Sequence, residues 1–271
     1  MIYLDNNATT PHDPKVIEAM RPFLECHYGN PSSGHAFGRE SREAVSRARD
    51  QVARVLNCPP AEIIFTSGGT EANNFALKGL ALARRDRGNH LITTRIEHPA
   101  ITNVCRWLET QGFSVTYLPV DRWGCVEEGA LEAALLPQTI LVSMMHANNE
   151  VGTLQPIAEV AALLASRGIA FHTDAAQSVG KVAVDVRAMG VDLLSLAGHK
   201  LYAPKGVGAL YVRTGVKLET LMHGAGHEGG WRAGTENVAG LVGLGKACEL
   251  ISTALEGHTS AMREQRDRLE A

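Results

Sequence analysis

The feature that most constrains this chain is the steady return of short apolar runs separated by stretches of helical period. Runs rich in β-branched and aliphatic residues fall at Glu62–Thr66, Leu91–Thr94, Ser114–Leu118, Ile140–Met144, Ala170–Thr173, Leu193–Leu196 and Val207–Val212. Helix-period patterns fill Pro14–Phe23, Arg39–Leu56, Ala72–Arg84, Pro99–Gln111, Ile157–Ser166 and Val238–Ala254. Strands that alternate with helices are joined by crossovers, which makes neighbouring strands parallel and covers both faces of the sheet. The expectation is an α/β domain on a mainly parallel sheet.

In such sheets ligands gather beyond the carboxyl ends of the strands, so the polar residues just after each apolar run carry the functional information. Ser67-Gly68-Gly69-Thr70-Glu71 follows the first run and precedes a helix. Its amides and the Thr70 hydroxyl can receive a phosphate, although the same residues also serve as ordinary turn and cap. Asp174 stands just past a buried run, where an ionised carboxylate needs a cation to offset desolvation. A protonated pyridine nitrogen is such a cation, and the pairing would strengthen the ring as an electron sink; a helix N-cap is the other use of an Asp there. Lys200, in Gly198-His199-Lys200, follows the next run and can form an imine with an aldehyde cofactor once its amine is deprotonated. Lys205, in the Pro204-Lys205-Gly206 turn, reads as solvated or as a second phosphate partner. The stretch from Gly224 to Gly234 is the clearest functional-loop candidate, with a surface turn as the alternative.

Composition narrows the partners. A chain of 271 residues, 45% hydrophobic and with a formal net charge of -3, buries a large core and has no basic field for nucleic acid or an anionic membrane. No apolar run is seen to approach the roughly 20 residues that span a bilayer, and no signal-peptide core opens the chain, so the cytoplasm is the expected location. Cys26, Cys58, Cys105, Cys125 and Cys248 are odd in number, scattered and without a CxxC pair, which predicts neither a disulfide framework nor a metal site.

Together, Tyr3 to Pro11, Gly29-Asn30-Pro31-Ser32-Ser33, Thr66 to Asn73, Glu97-His98-Pro99, Asn148 to Gly152, Asp174 to Gln177, Gly198-His199-Lys200 and Arg232 to Asn237 resemble cysteine desulfurases of the NifS/IscS type, in order across nearly the whole chain. The resemblance implies the aspartate-aminotransferase-like transferase fold dependent on pyridoxal 5'-phosphate (PLP), with a seven-stranded, mainly parallel sheet flanked by helices. It implies a homodimer whose sites draw on both subunits, L-cysteine as substrate, and sulfur-acceptor or iron-sulfur scaffold proteins as partners. By position, Lys200 would be the Schiff-base lysine, Asp174 the partner of the pyridine nitrogen and Gln177 that of the phenolic oxygen. His98 would stack on the ring and move protons; by itself a His before Pro reads as a helix-start residue. Gly69, Thr70 and His199 would hold the phosphate, Thr235 would reach the neighbouring subunit's phosphate, and Asn7 and Asn149 would lie beside the substrate. The activity implied is removal of sulfur from L-cysteine, giving L-alanine and a persulfide that feeds iron-sulfur cluster assembly or other sulfur transfer.

Three domain spans are expected: 1–14 as a segment at the site's mouth, 15–257 as the large PLP-binding domain, and 258–271 as the start of a small C-terminal domain largely absent here. The family's cysteine loop has no counterpart, and Cys248, in a helical run, reads as a packing residue. Ala197 stands where many relatives carry a phosphate-binding serine, and Ser195 is expected on the opposite side of its strand. Selenocysteine lyase, or a related PLP lyase, is the alternative within enzymes; a PLP-binding remnant or scaffold is the alternative outside them.

Overall fold

Each of the seven apolar runs becomes a strand. The computed structural model describes residues 2–127 and 129–271; Met1, in the expected N-terminal segment, and Glu128, in the expected large domain, lie outside the described residues. In chain order come α1 (Pro14–Glu25), α2 (Ala36–Leu56), β1 (Ile63–Thr66), α3 (Gly69–Asn74), α4 (Leu80–Ala83), β2 (His90–Thr94), α5 (Pro99–Thr110), β3 (Ser114–Leu118), α6 (Ala130–Ala134), β4 (Thr139–Ser143), α7 (Ile157–Ala165), β5 (Ala170–Asp174), α8 (Val186–Met189), β6 (Leu193–Ala197), β7 (Gly208–Val212) and α9 (Val238–Glu270). A π-helical turn, Phe75–Gly79, joins α3 to α4 into one rod.

The strands form one sheet in the order β1-β7-β6-β5-β4-β2-β3, and β7 runs antiparallel to both its neighbours while the other pairs are parallel. Every residue of β4, β5, β6 and β7 is buried, which is why these strands read as continuous apolar runs rather than as alternating ones. On one face Ile92, Val142, Phe171, Leu194 and Leu196 pack with Val52, Leu56, Leu164 and Leu244 from α2, α7 and α9. On the other, Leu91, Leu141, Leu193 and Leu210 pack with Phe75, Leu80, Ile101 and Leu108. Each such side chain contributes about 1.5–3 kcal/mol of transfer free energy, so the two apolar layers hold the strand ends rigidly in register.

Two expectations change at the C-terminus. The helix expected to stop at Ala254 and the charged helix-like segment expected from Thr259 form one helix that runs to Glu270. By length and composition α9 is also long and apolar enough to cross a membrane, which corrects the reading that no run approaches that size. Its apolar positions Leu241, Leu244, Ala247 and Cys248 are buried in the core, the pattern of a core helix.

Candidate active site

Because β7 alone is reversed among the described strands, the carboxyl ends of the other six and the beginning of β7 meet at one end of the sheet. Near the middle of that end opens a cleft of about 880 Å³, lined among others by Asn7, Gly69, Thr70, His98, Asn149, Asp174, Gln177, His199, Lys200 and Lys205. Nine of the ten sequence-predicted site residues thus share one cavity; Thr235 does not line it.

One wall is the turn between β1 and α3. Gly68 has φ +147°, a conformation that only glycine adopts at little cost. A Cβ on Gly208 would lie 2.7 Å from the Gly68 Cα, so two glycines let this turn sit directly on β7. The first-turn amides of α3 have no intrahelical partner and face an anion naturally. Glu71 braces the turn: the Ser67 amide donates to its Oε2 at 2.8 Å, and Arg232 donates through Nε to Oε1 at 2.7 Å and through a terminal nitrogen to Oε2 at 3.2 Å. Burial pushes the Glu71 carboxyl up, but the bonds from Arg232 and Ser67 outweigh it and hold it below the ordinary carboxylate value.

The floor is Asp174, the last residue of β5 and buried. Its Oδ2 accepts from Asn73 Nδ2 at 2.7 Å and its Oδ1 from the Ala176 amide at 2.9 Å. Desolvation still raises its pKa, against those two bonds and the charges of His98 and Lys200. Lys200 closes a 3₁₀ turn after β6, and its amine donates to the carbonyls of Asn7 and, at 3.0 Å, Ala8. Burial lowers its pKa below the ordinary lysine value while Asp174 and Asp5 oppose the drop. The segment carrying Asn7 is stitched across this turn: Thr10 donates from N and Oγ1 to the His199 carbonyl at 3.0 and 2.9 Å, and the Asn7 amide donates to the Asn149 carbonyl.

His98 stands where the sequence offered two readings, a cleft residue and a helix start. It lines the cleft and is the N-cap of α5, its Nδ1 accepting from the Ala100 amide at 3.1 Å. With Nδ1 acting as acceptor, the ring proton of the neutral imidazole sits on Nε2. Glu97, its neighbour, is buried and bridges two strand ends, accepting from Thr94 Oγ1 at 2.7 Å and from the Met145 amide at 2.9 Å. Burial pushes its carboxyl up to about 8. Asn148 shapes the opposite lip, its Oδ1 accepting from the amides of Glu150 (2.9 Å) and Val151 (3.0 Å) and so presenting Asn149 to the cleft. His199 pairs with Thr9 Oγ1 at 3.2 Å, and burial, with Lys200 and Lys205, keeps its imidazole below its usual pKa.

Thr235 borders a smaller cavity with Glu228, Arg232 and Asn237, and Ser67, Gly206 and Val207 line both cavities. Ser195 requires a correction: two residues from Ala197 on one strand, it shares that residue's face. Its Oγ is 2.9 Å from Nε2 of His172, whose Nδ1 is 2.8 Å from Ser143 Oγ, and all three residues are buried. None of the five cysteines is among the described residues lining the cleft, and burial pushes the thiols of Cys58, Cys105 and Cys248 up to about 12. Sequence reasoning missed Asn73, Glu97, Lys181 and the Glu71–Arg232 pair as parts of the site. Glu71, Asn73, Glu97 and Arg232 do stand within the segments that carry the resemblance, and Asn73 is also a poor helix former one turn after the glycine pair.

The residues fit PLP by their own chemistry. A buried carboxylate raised by desolvation wants a cation, an amine is held below its usual pKa, and first-turn amides with Thr70 and His199 answer an anion.

The aminotransferase class-V family profile matches residues 2–271. The chain is 52% identical over 266 residues to a protein of Dictyoglomus turgidum named cysteine desulfurase IscS, covering 98% of this chain and 68% of that one. It is 51% identical to a protein of the same name from Methanosarcina thermophila, covering 99% of this chain and 66% of that one. Among solved structures, one titled NifS-like protein superposes with a TM-score of 0.97 at 42% identity over 99% of this chain and 74% of that one. Another, titled SspA in complex with cysteine, gives 0.89 at 44% identity over 92% of this chain and 72% of that one. The chain thus spans about two thirds of the length of the curated relatives it matches, and it belongs to the aminotransferase class-V family, among the cysteine desulfurases.

Proposed function

We propose that this cleft holds PLP and removes sulfur from L-cysteine, leaving L-alanine and passing the sulfur to an acceptor thiol. The single observation that carries the reading is the convergence of a buried carboxylate, Asp174, a partly desolvated amine, Lys200, and the first-turn amides of α3 in one cleft. When bound, PLP supplies an electron sink for the bond broken at the substrate α-carbon.

Asp174 would hold the pyridine nitrogen protonated, with Asn73 and the Ala176 amide fixing the carboxylate's plane. Gly69, Thr70 and His199 would take the phosphate, and Gln177 the phenolic oxygen. Lys200 would anchor the aldehyde and, once displaced by the substrate's amine, act as the base at the α-carbon; its lowered pKa increases the unprotonated fraction near neutrality. His98, with its ring N–H on Nε2, would donate a hydrogen bond from that nitrogen into the cleft and relay protons there. Asn7 and Asn149 would flank the substrate. None of the five cysteines is among the described residues lining the cleft, so the thiol that receives sulfur is assigned to a residue other than these five. Thr235, in the adjoining cavity, would serve the site of a second copy, which makes a homodimer the working assembly. Sulfur-acceptor or iron-sulfur scaffold proteins would be the downstream partners, in the cytoplasm.

The test is an absorbance spectrum of the chain with added PLP, followed by borohydride reduction and peptide mapping. The expected result is a visible band and phosphopyridoxyl label on Lys200; label elsewhere, or none, would sink the assignment. Alanine release from L-cysteine, measured alongside, separates turnover from cofactor binding alone.

A further inference from the structure

The turn after β5 holds a lysine with no assigned role. Lys181 Nζ lies 2.5 Å from Gln177 Oε1 and 3.4 Å from Asn7 Oδ1, so its partners are two amide oxygens, with no carboxylate among the described residues. The backbone at Lys181 is pinned on both sides: its amide donates to the Ser178 carbonyl at 3.0 Å, and its own carbonyl accepts from Thr259 Oγ1 of α9 at 2.9 Å. The side chain is partly buried.

A glutamine has a donor end and an acceptor end of nearly equal shape, and its neighbours decide which end faces the cleft. An ammonium has three donors and no acceptor, so Oε1 must turn toward Lys181. Nε2 is then left for the cleft, where it already donates to the Asn7 carbonyl at 3.1 Å. Because neutral groups hold Lys181, its charge is not cancelled locally, and it lies near enough to Lys200 for that ammonium to lower its pKa. Asp174 and Asp5 act on Lys200 from the floor and from the N-terminal segment.

We infer that Lys181 is a positioning residue that locks the Gln177 amide with its donor end toward the cofactor's ring oxygen and adds a positive field behind it. The inference rests on the PLP reading above. Burial, and then Lys200, pull the Lys181 ammonium down to about 8, so the charge is present at neutral pH and fades above it.

The experiment loads wild type, Lys181→Met and Lys181→Arg with PLP and follows the visible band against pH, together with half-saturation by PLP. Removing a nearby cation makes the Lys200-linked nitrogen easier to protonate, so Lys181→Met should raise the midpoint by about one unit and weaken PLP binding roughly tenfold. Lys181→Arg keeps the charge and should stay within a few tenths of a unit of wild type. Lys181→Gln replaces Lys181→Met if the latter does not fold, with the same expectation for the midpoint. A neutral variant that titrates and saturates like wild type would overturn the inference while leaving the PLP site standing. Wild type without a band linked to Lys200 would overturn the site itself, and the inference with it.

Discussion

Two carboxylates lie buried at the same end of the sheet, Asp174 in the cleft and Glu97 behind its neighbour His98, and their surroundings push them toward different jobs. Glu97 follows β2 and has one satisfied oxygen, Oε1, while Oε2 has no partner among the described residues. Asp174 ends β5 with both oxygens bonded and with His98 and Lys200 contributing positive charge. Desolvation acts on both. At Glu97 it wins, so the group is mostly protonated at neutral pH and works as a strut between β2 and β4. At Asp174 it also raises the pKa, but donors on both oxygens and two cations oppose it, which suits a carboxylate built to meet a cation in the cleft. The difference teaches that burial depth does not assign a carboxylate's role: each accepts two hydrogen bonds, and it is the cations His98 and Lys200 beside Asp174 that set it apart.

The comparison breaks most visibly at Asp174. Asp174→Asn should cost PLP affinity about a hundredfold or more, since a buried charge pair that loses one partner leaves the other uncompensated. Equilibrium titration of the cofactor band reads this, and wild-type affinity in the variant would remove Asp174 from the pyridine-nitrogen role.

Glu97 should show itself in stability rather than binding. Its folded pKa is raised, so the native state binds more protons than the unfolded chain between 4.5 and about 8. Stability from this group therefore falls as pH rises through that window, by on the order of a few kcal/mol. Glu97→Gln should flatten the decline of the melting temperature between pH 5 and pH 8. His172 has the opposite sign: held neutral with a pKa near 3, it costs stability as pH falls from 6.5 toward 3. A wild-type curve flat across both windows would contradict both assignments.

A finer test couples the two acids. The charge on Asp174 helps to raise Glu97, so Asp174→Asn should move the alkaline edge of the Glu97 stability profile to lower pH, by a fraction of a unit. The smallest effect is expected at Ala197, whose methyl faces Gly69 across the phosphate wall. Ala197→Ser offers that wall one more hydroxyl and should tighten PLP binding severalfold, which half-saturation measurements resolve.

The strands were readable because burial on both faces writes an unbroken apolar run, as in Leu193–Ala197 and Gly208–Val212. α6 and α8, five and four residues long, carry too little periodicity to be seen. The start of α3 is obscured because glycine and threonine look like turn rather than helix, and α9 reads as two helical stretches, to Ala254 and from Thr259, because Gly257 interrupts the pattern between them. Site residues directly after strands were legible for the same topological reason that puts ligands there. Asn73, Lys181 and Arg232 were not, since each acts through a partner distant in sequence or by the geometry of a turn. Ser195 lies on the face of Ala197, since residues two apart on a strand share a face.

The single reversed strand also sets a clock. β1 finds its ladder partner in β7, with Ile63 opposite Tyr211, more than half the chain away. On the ribosome, at about 5–20 residues per second, Ile63-Ile64-Phe65 must wait on the order of ten seconds before its edge can be covered. The strands β2 to β6 can assemble meanwhile, which makes the β1 edge the last seam to close and the stretch most in need of protection until then.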